Sequence, residues 1–353
     1  MKRGLVLFEP QEIPADEVWE RVSRLQQALR ERGVAVAFLY GDVYRSADLT
    51  YLTNICIYWN EAVLAVPATG KPALLTKLSG RVHTWMRAIS ILEDLRSGPS
   101  LEKLIKDFVQ DMEPGTVGLV EMDWWPGPSV ERLRTELEGW KLEDLGAIVR
   151  EVRKLPSDSE RRLLRESAKI SAESVAIGLP KELSNPTRAG KAELKARMAG
   201  VEDVYIYCTP ATDAADTIEV FSEFRGYWTT AARVVLKGAP DWAPLLRKAY
   251  DAAAGRLRSG ADRKQLADAA GGVLNGSGLA WRIDLIHHTD LESCGEYRLP
   301  GEDNLPAEAG NVAALRLELA LPDGSYAVVS DTYLIQEAGA ENLTASLPAA
   351  VVD

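Results

Sequence analysis

The run Ile286–Glu296, IHHTDLESCGE, gathers side chains that can move protons. It holds two of the chain's three histidines, one of its three cysteines and three carboxylates. Imidazole is the side chain that changes charge near neutral pH, so acid/base chemistry there would draw on this stretch. His288 is the leading candidate. A catalytic imidazole needs an orienting carboxylate and a substrate proton within hydrogen-bond reach, and Asp290, Glu292 and Glu296 follow it closely. His287 would point the opposite way in an extended chain and reads as structural. Cys294 becomes a nucleophile only if an imidazole lowers its pKa; packing is the plainer role for a free cysteine. The same residues also fit a polar surface loop without chemistry.

The whole chain sets the frame for these groups. At 353 residues, with 46% apolar and 26% charged side chains, it has material for two cored domains. A net charge of −11 argues against a nucleic-acid partner, which would leave a basic stripe. No apolar run approaches the roughly eighteen residues of a membrane span, and the apolar stretch near Met1 is too short for a signal peptide. Cys56, Cys208 and Cys294 are far apart and form no C-x-x-C pair, which fits free thiols rather than a disulfide frame or a zinc knuckle. The expectation is a cytoplasmic protein with no membrane or nucleic-acid partner.

Val18, Val22, Leu25 and Leu29 predict an amphipathic helix over 16–32, ended by Gly33. Strands are predicted at 34–40, 62–66 and 73–76, then a helix at 100–112 capped by Ser100, a strand at 116–120 and a helix at 129–137. That alternation predicts an α/β layer domain. Leu155-Pro156-Ser157-Asp158 breaks it, placing the domains at 1–155 and 156–353. Beyond the break, helices are predicted at 159–178, 191–199, 242–257 and 263–274. Strands are predicted at 204–207, 217–224, 231–236, 312–319, 326–329 and 332–335, which makes an α+β half.

Three local patterns then resemble the creatinase/aminopeptidase P/methionine aminopeptidase superfamily, the "pita-bread" fold. Lys154-Leu155-Pro156-Ser157-Asp158-Ser159-Glu160 is similar to that family's linker into the first helix of its catalytic half. Gly226-Tyr227-Trp228-Thr229-Thr230-Ala231-Ala232-Arg233 resembles its G-Y-x-S/T-D-x-x-R hairpin. Leu305-Pro306-Ala307-Glu308-Ala309-Gly310, with Asp331–Ile335 and Gly339–Thr344, resembles its closing strands. Tyr51-Leu52-Thr53-Asn54 is similar to the creatinase N-terminal domain. The resemblance implies an α/β creatinase-like N-terminal domain followed by an α+β pita-bread domain.

Metalloenzymes of the superfamily hold two divalent ions with two aspartates, a histidine and two glutamates, chemistry in which the ions activate a water and stabilise both reacting oxygens. Counted from the motifs, those positions are Glu219, Thr230, His288, Arg316 and Ser330, with Glu318 two residues beyond Arg316 on the same strand face. A guanidinium and two hydroxyls cannot hold two dications, so these departures from the family pattern lead to the expectation of no metal and no other cofactor. Creatinase itself cleaves a guanidino C–N bond without metal, but the glutamate before its hairpin arginine is Ala232 here, which argues against creatine as substrate.

Two readings follow. In one, the chain is a metal-independent creatinase-like hydrolase of a C–N bond in a small polar substrate. His288 is then its acid/base, Glu296 or Glu219 the partner carboxylate, and Arg316 a clamp for an anionic group. Tyr227 and a loop of Tyr58, Trp59 and Asn60 would complete the binding residues. In the other, it is a non-catalytic subunit that binds or scaffolds, for instance an active paralogue; in either, the loop at Tyr58 and Trp59 predicts a homodimer or a heterodimer with a paralogue. An internal salt bridge from Arg316 to Glu318 or Glu219 is the structural alternative to the clamp.

Overall fold

The computed structural model describes residues 9–55, 57, 59–209, 214–291, 305–349 and 351–352. Two compact units divide the chain, Met1–Arg153 and Lys154–Asp353. The boundary expected from Pro156 was 155/156. Among the described residues no helix is long and apolar enough to cross a membrane.

Unit 1 opens with α1 (Ala15–Glu31), β1 (Val36–Asp42), α2 (Ala47–Thr53), β2 (Glu61–Pro67) and β3 (Ala73–Thr76). It continues through α3 (His83–Ala88), β4 (Asp94–Ser97), α4 (Leu101–Val109), β5 (Thr116–Val120), α5 (Gly127–Glu136), β6 (Lys141–Gly146) and α6 (Ile148–Arg153). The six strands order as β4-β3-β2-β1-β5-β6. Val36–Leu39 is apolar throughout because β1 is buried on both faces. Val36 and Phe38 pack with α4 and α5, while Ala37 and Leu39 pack with α1 and α2.

Unit 2 contains α7 (Asp158–Ile177), α8 (Asn185–Met198), β7 (Asp203–Cys208), β8 (Ala215–Phe224), β9 (Tyr227–Leu236), α9 (Trp242–Ala254) and α10 (Arg263–Leu274). Then come β10 (Trp281–His287), a 3-10 turn (His288–Asp290), β11 (Val312–Ala320) and β12 (Tyr326–Ile335). Their sheet runs β10-β11-β12-β9-β8-β7. A capping box starts α7: Ser157 Oγ accepts from Glu160 N, and the Glu160 carboxylate accepts from Ser157 N. The β8–β9 hairpin turns on Arg225 (φ 55°) and Gly226 (φ 84°). Two successive left-handed residues make a tight turn whose twist matches the strands, and glycine is suited to the second.

Alternation along the strands divides their side chains between two faces. Ile218, Val220 and Ala231 pack against α7 and α8. Ile283, Leu285, Leu315 and Leu317 pack against α9 and α10. The neighbours of these residues, Glu219, Ala232, Asp284 and Arg316, therefore stand on the other face. A polar seam ties α7 to the hairpin: Ser167 Oγ lies 2.9 Å from Thr229 Oγ1, and Ser171 Oγ lies 2.6 Å from Ser222 Oγ.

Two elements differ from expectation. The strand β10 hides behind its charges: Arg282 and Asp284 pair with each other at 2.8 Å, which lets both stand in a strand that is buried from Ile283 to His287. Residues 326–335 form one strand, not two, because the polar Ser330 and Asp331 are buried within it.

Beside the hairpin turn, Glu202 is buried and its carboxyl is raised from 4.5 to about 7, chiefly by desolvation and then by the nearby Glu223 charge; Arg225 opposes the shift. The folded state therefore holds this proton more tightly than the unfolded chain does. Its contribution is fully present below about pH 4.5 and is lost as pH rises through about 7. Urea unfolding at about pH 5 and about pH 8 should show a decline of up to about 3 kcal/mol that Glu202→Gln removes. A decline of the same size in the variant would assign it to other groups.

Candidate active site

Strand register assembles the candidate positions into one transverse row. Glu219 pairs with Ala232, Ala232 with Ser330, Ser330 with Arg316, and Arg316 with Asp284. Directly opposed residues share a face, so five strands deliver this row to the side of the sheet away from α7–α10. The Arg316 guanidinium lies across its centre. Nε donates to Glu219 Oε1 at 2.7 Å, Nη2 to Glu219 Oε2 at 3.1 Å, and Nη1 to Glu318 Oε2 at 2.8 Å. Arg316 is 7% exposed and Glu219 5%.

This geometry corrects two expectations. Arg316 was expected to clamp an anionic substrate group; its planar fork is instead closed on Glu219 in bidentate fashion and holds Glu318 with its third nitrogen. Glu219 was expected as a partner carboxylate for His288, but both its oxygens accept from Arg316. The structural alternative, a salt bridge to Glu219 or Glu318, is what forms, and it forms to both.

The remaining two positions carry hydroxyls. Thr230 and Ser330 are fully buried, and among the described residues neither hydroxyl oxygen has a hydrogen-bond partner. Beside Thr230, the same face is apolar: Phe221, Trp228, Ile286, Leu291 and Ala314 form one buried cluster, each at most 2% exposed. Tyr205 stacks on Trp228 with ring centres 5.9 Å apart. Sequence reasoning passed over Trp228 and Phe221, although Phe221 is the register partner of Thr230 and Trp228 stands two residues before it.

His288 begins the 3-10 turn after β10 and is buried. Its Nδ1 lies 3.2 Å from the Val312 carbonyl, which it reaches as a donor. The partners considered for it, Glu292 and Glu296, lie outside the described residues, as do the side chain of Asp290 and Cys294. His287 is held structurally: Asn311 Nδ2 meets its Nδ1 at 2.9 Å, and its Nε2 meets the Leu305 carbonyl at 3.2 Å.

Tyr227 was expected to bind substrate. It stands on the α7 face, where its hydroxyl donates to Glu160 Oε1 at 2.9 Å, so it cannot line the Arg316 face. Trp59 and Asn60 belong to unit 1, in the loop before β2; Trp59 is 44% exposed, and Asn60 Oδ1 accepts from Glu61 N at 3.0 Å. Tyr58 lies outside the described residues.

The donor set does not fit two dications. Of the five positions, only Glu219 and His288 carry metal-type ligands, and the Glu219 charge is neutralised by Arg316, whose own charge would repel an ion. Among the described residues no three His, Cys, Asp or Glu side chains gather so as to hold a metal.

The ion pair generates a stability prediction. Arg316→Met leaves Glu219 buried without its counter-ion and should cost about 3–5 kcal/mol in urea unfolding. Arg316→Met with Glu219→Met should recover most of that loss. Equal losses in the two variants would show that the pair is not what the row depends on.

The fold agrees with what the chain is similar to. Residues 21–155 match the creatinase/prolidase N-terminal domain. No curated protein matches the sequence. The structure is similar to X-Pro aminopeptidase from Thermotoga maritima, with TM-score 0.76, 16% identity, and 94% of this chain and 99% of that chain covered. Xaa-Pro dipeptidase from Bacillus anthracis gives TM-score 0.76 at 14% identity, with 95% and 100% covered. Prolidase from Pyrococcus horikoshii gives TM-score 0.74 at 14% identity, with 92% and 98% covered. Residues 21–155 are therefore similar to the creatinase/prolidase N-terminal domain, and the chain as a whole has the two-domain fold of the solved prolidases and X-Pro peptidases, with a pita-bread C-terminal half.

Proposed function

We propose that this protein is a non-catalytic member of its fold, a binding or scaffolding subunit in which a tethered guanidinium stands where dications would be. One observation carries the reading: Arg316 closes on Glu219 and Glu318 in the middle of the row. A buried guanidinium with its acids satisfied has little left to offer a transition state, and catalysis needs groups whose interactions strengthen as the reaction proceeds. The apolar cluster around Trp228 supports the same reading, because a peptide or guanidino group would have to displace packed aromatic surface. A dimer, with itself or with an active paralogue, belongs to this proposal: Trp59 is an exposed aromatic of the kind that interfaces use.

A second reading, metal-independent hydrolysis of a C–N bond in a small polar molecule, rests on His288. The Val312 carbonyl holds its Nδ1, which orients the ring as a catalytic imidazole must be oriented. The solved structures of similar fold are named prolidase, X-Pro aminopeptidase and Xaa-Pro dipeptidase, so the fold can host C–N cleavage. In that reaction water adds to the carbon, the C–N bond breaks and His288 passes the proton to the leaving nitrogen.

The readings part in one experiment. The purified chain is analysed for metal and assayed on Xaa-Pro dipeptides and on small amide and guanidino compounds, with and without chelator, beside His288→Ala. The expected result is no bound divalent ion and no turnover above the variant. Chelator-resistant turnover that His288→Ala abolishes would establish the hydrolase instead. Chelator-sensitive turnover would sink both. A reconstruction adds an independent arm: Thr230→Asp, Arg316→Glu and Ser330→Glu together should create binding of Mn2+ that the natural chain lacks.

A further inference from the structure

Between the end of α9 and the start of α10 lies a surface groove of about 360 Å3, lined by Arg256, Arg258, Gln265, Asp268 and Ala269. Both of its walls are fixed. In the linker, Leu257 and Ala261 are buried. Ser259 N donates to the Gln336 carbonyl at 2.9 Å and Gly260 N to Ala307 at 2.8 Å, while Ala307 N returns to Ala261 at 2.8 Å. Arg256 and Arg258 flank the buried leucine and are exposed. On the helix side, a capping box holds the first turn: Asp262 Oδ1 accepts from Gln265 N at 2.8 Å, and the Gln265 amide oxygen accepts from Asp262 N at 3.4 Å. That use of its oxygen leaves the Gln265 NH2 as a donor, and Asp268 follows one turn along the same helix face.

Charge makes the groove distinctive. Most arginines of unit 2 sit within 4.0 Å of a carboxylate. Arg256, Arg258 and Asp268 have no such partner among the described residues, even though all three line one cavity. The groove thus presents two guanidiniums and an amide donor beside a single carboxylate, in a chain whose net charge is −11.

We propose that this groove binds the zwitterionic backbone of a free amino acid or short peptide, its carboxylate on Arg256 and Arg258 and its ammonium on Asp268. Guanidiniums match a carboxylate with parallel donors. Asp268 repels a second negative charge, so a phosphate dianion is disfavoured, yet it supplies the acceptor that an ammonium needs. The volume suits a small ligand, at the low end of ligand pockets. The groove lies among the helices that cover the face of the sheet opposite Arg316, so it stands whether or not that face is catalytic.

The test is calorimetric titration of the full chain with L-alanine, L-alanyl-L-alanine, acetate and inorganic phosphate. Saturable binding of at least one zwitterion is expected, the tighter of the two distinguishing amino acid from peptide. Arg256→Gln with Arg258→Gln should weaken it by about tenfold or more, as should Asp268→Asn. Asp268→Asn should leave acetate binding no weaker. Circular dichroism checks that these surface variants stay folded. The proposal is overturned if neither zwitterion saturates, if the variants bind them unchanged, or if phosphate binds more tightly than either.

Discussion

Everything on the Arg316 face depends on one balance of charge. β8 and β11 bring Glu219 and Glu318 to one guanidinium, and a carboxylate buried as Glu219 is needs a cation. A guanidinium supplies one positive charge in a fixed plane, with donors for both acids. That choice constrains its neighbours. Acidic side chains at 230 and 330 would add two negative charges to a row with a single cation, so the hydroxyls of Thr230 and Ser330 follow from the arginine as an electrostatic consequence. The three departures from a dication site are then one change. Nor is the pair a source of large stability in itself, because desolvating three charges offsets most of their attraction; what it imposes is that none of the three can be removed alone.

The apolar cluster is the other half of that change. Phe221, Trp228, Ile286, Leu291 and Ala314 pack beside the row, and burying large side chains is worth about 1.5–3 kcal/mol each. A cleft that must admit a polar substrate and its water cannot gain that term. The face near Thr230 is built as core, and the two unsatisfied hydroxyls beside it are small costs, about 1–3 kcal/mol apiece, set against it.

Fold and site were legible in the sequence to different depths, for a physical reason. The motifs that indicated the fold are the residues that hold its backbone. Ser157 and Glu160 cap α7, and Gly226 makes the hairpin turn. Arg233 binds Asp331 at 2.7 Å, and Thr344 and Tyr250 close on the same carboxylate. Burial and that carboxylate push the Tyr250 hydroxyl far above its usual range. Such residues keep their identity whatever the site does. The fate of Arg316 was not legible, because it is set by register across β8, β9, β12 and β11, between residues 97 apart in sequence. Local spacing placed Arg316 on a strand that lines the row and offered Glu318 or Glu219 as an ion-pair partner; it could not choose between that pair and the clamp. Tyr227 shows the same limit in reverse, where a motif position assigned to substrate turned out to face α7 and anchor Glu160.

A scaffold whose central charges are internally satisfied can still recognise molecules elsewhere. Recognition needs polar groups that folding leaves without partners, since a group already paired must break that pair to bind. By that criterion the Arg316 row is spent, with all three guanidinium nitrogens engaged by carboxylates. Arg256, Arg258 and Asp268 meet it, because among the described residues each would gain its first charged partner from a ligand without breaking an existing pair. If chemistry has left this fold, the groove beside α10 is where binding energy remains to be realised.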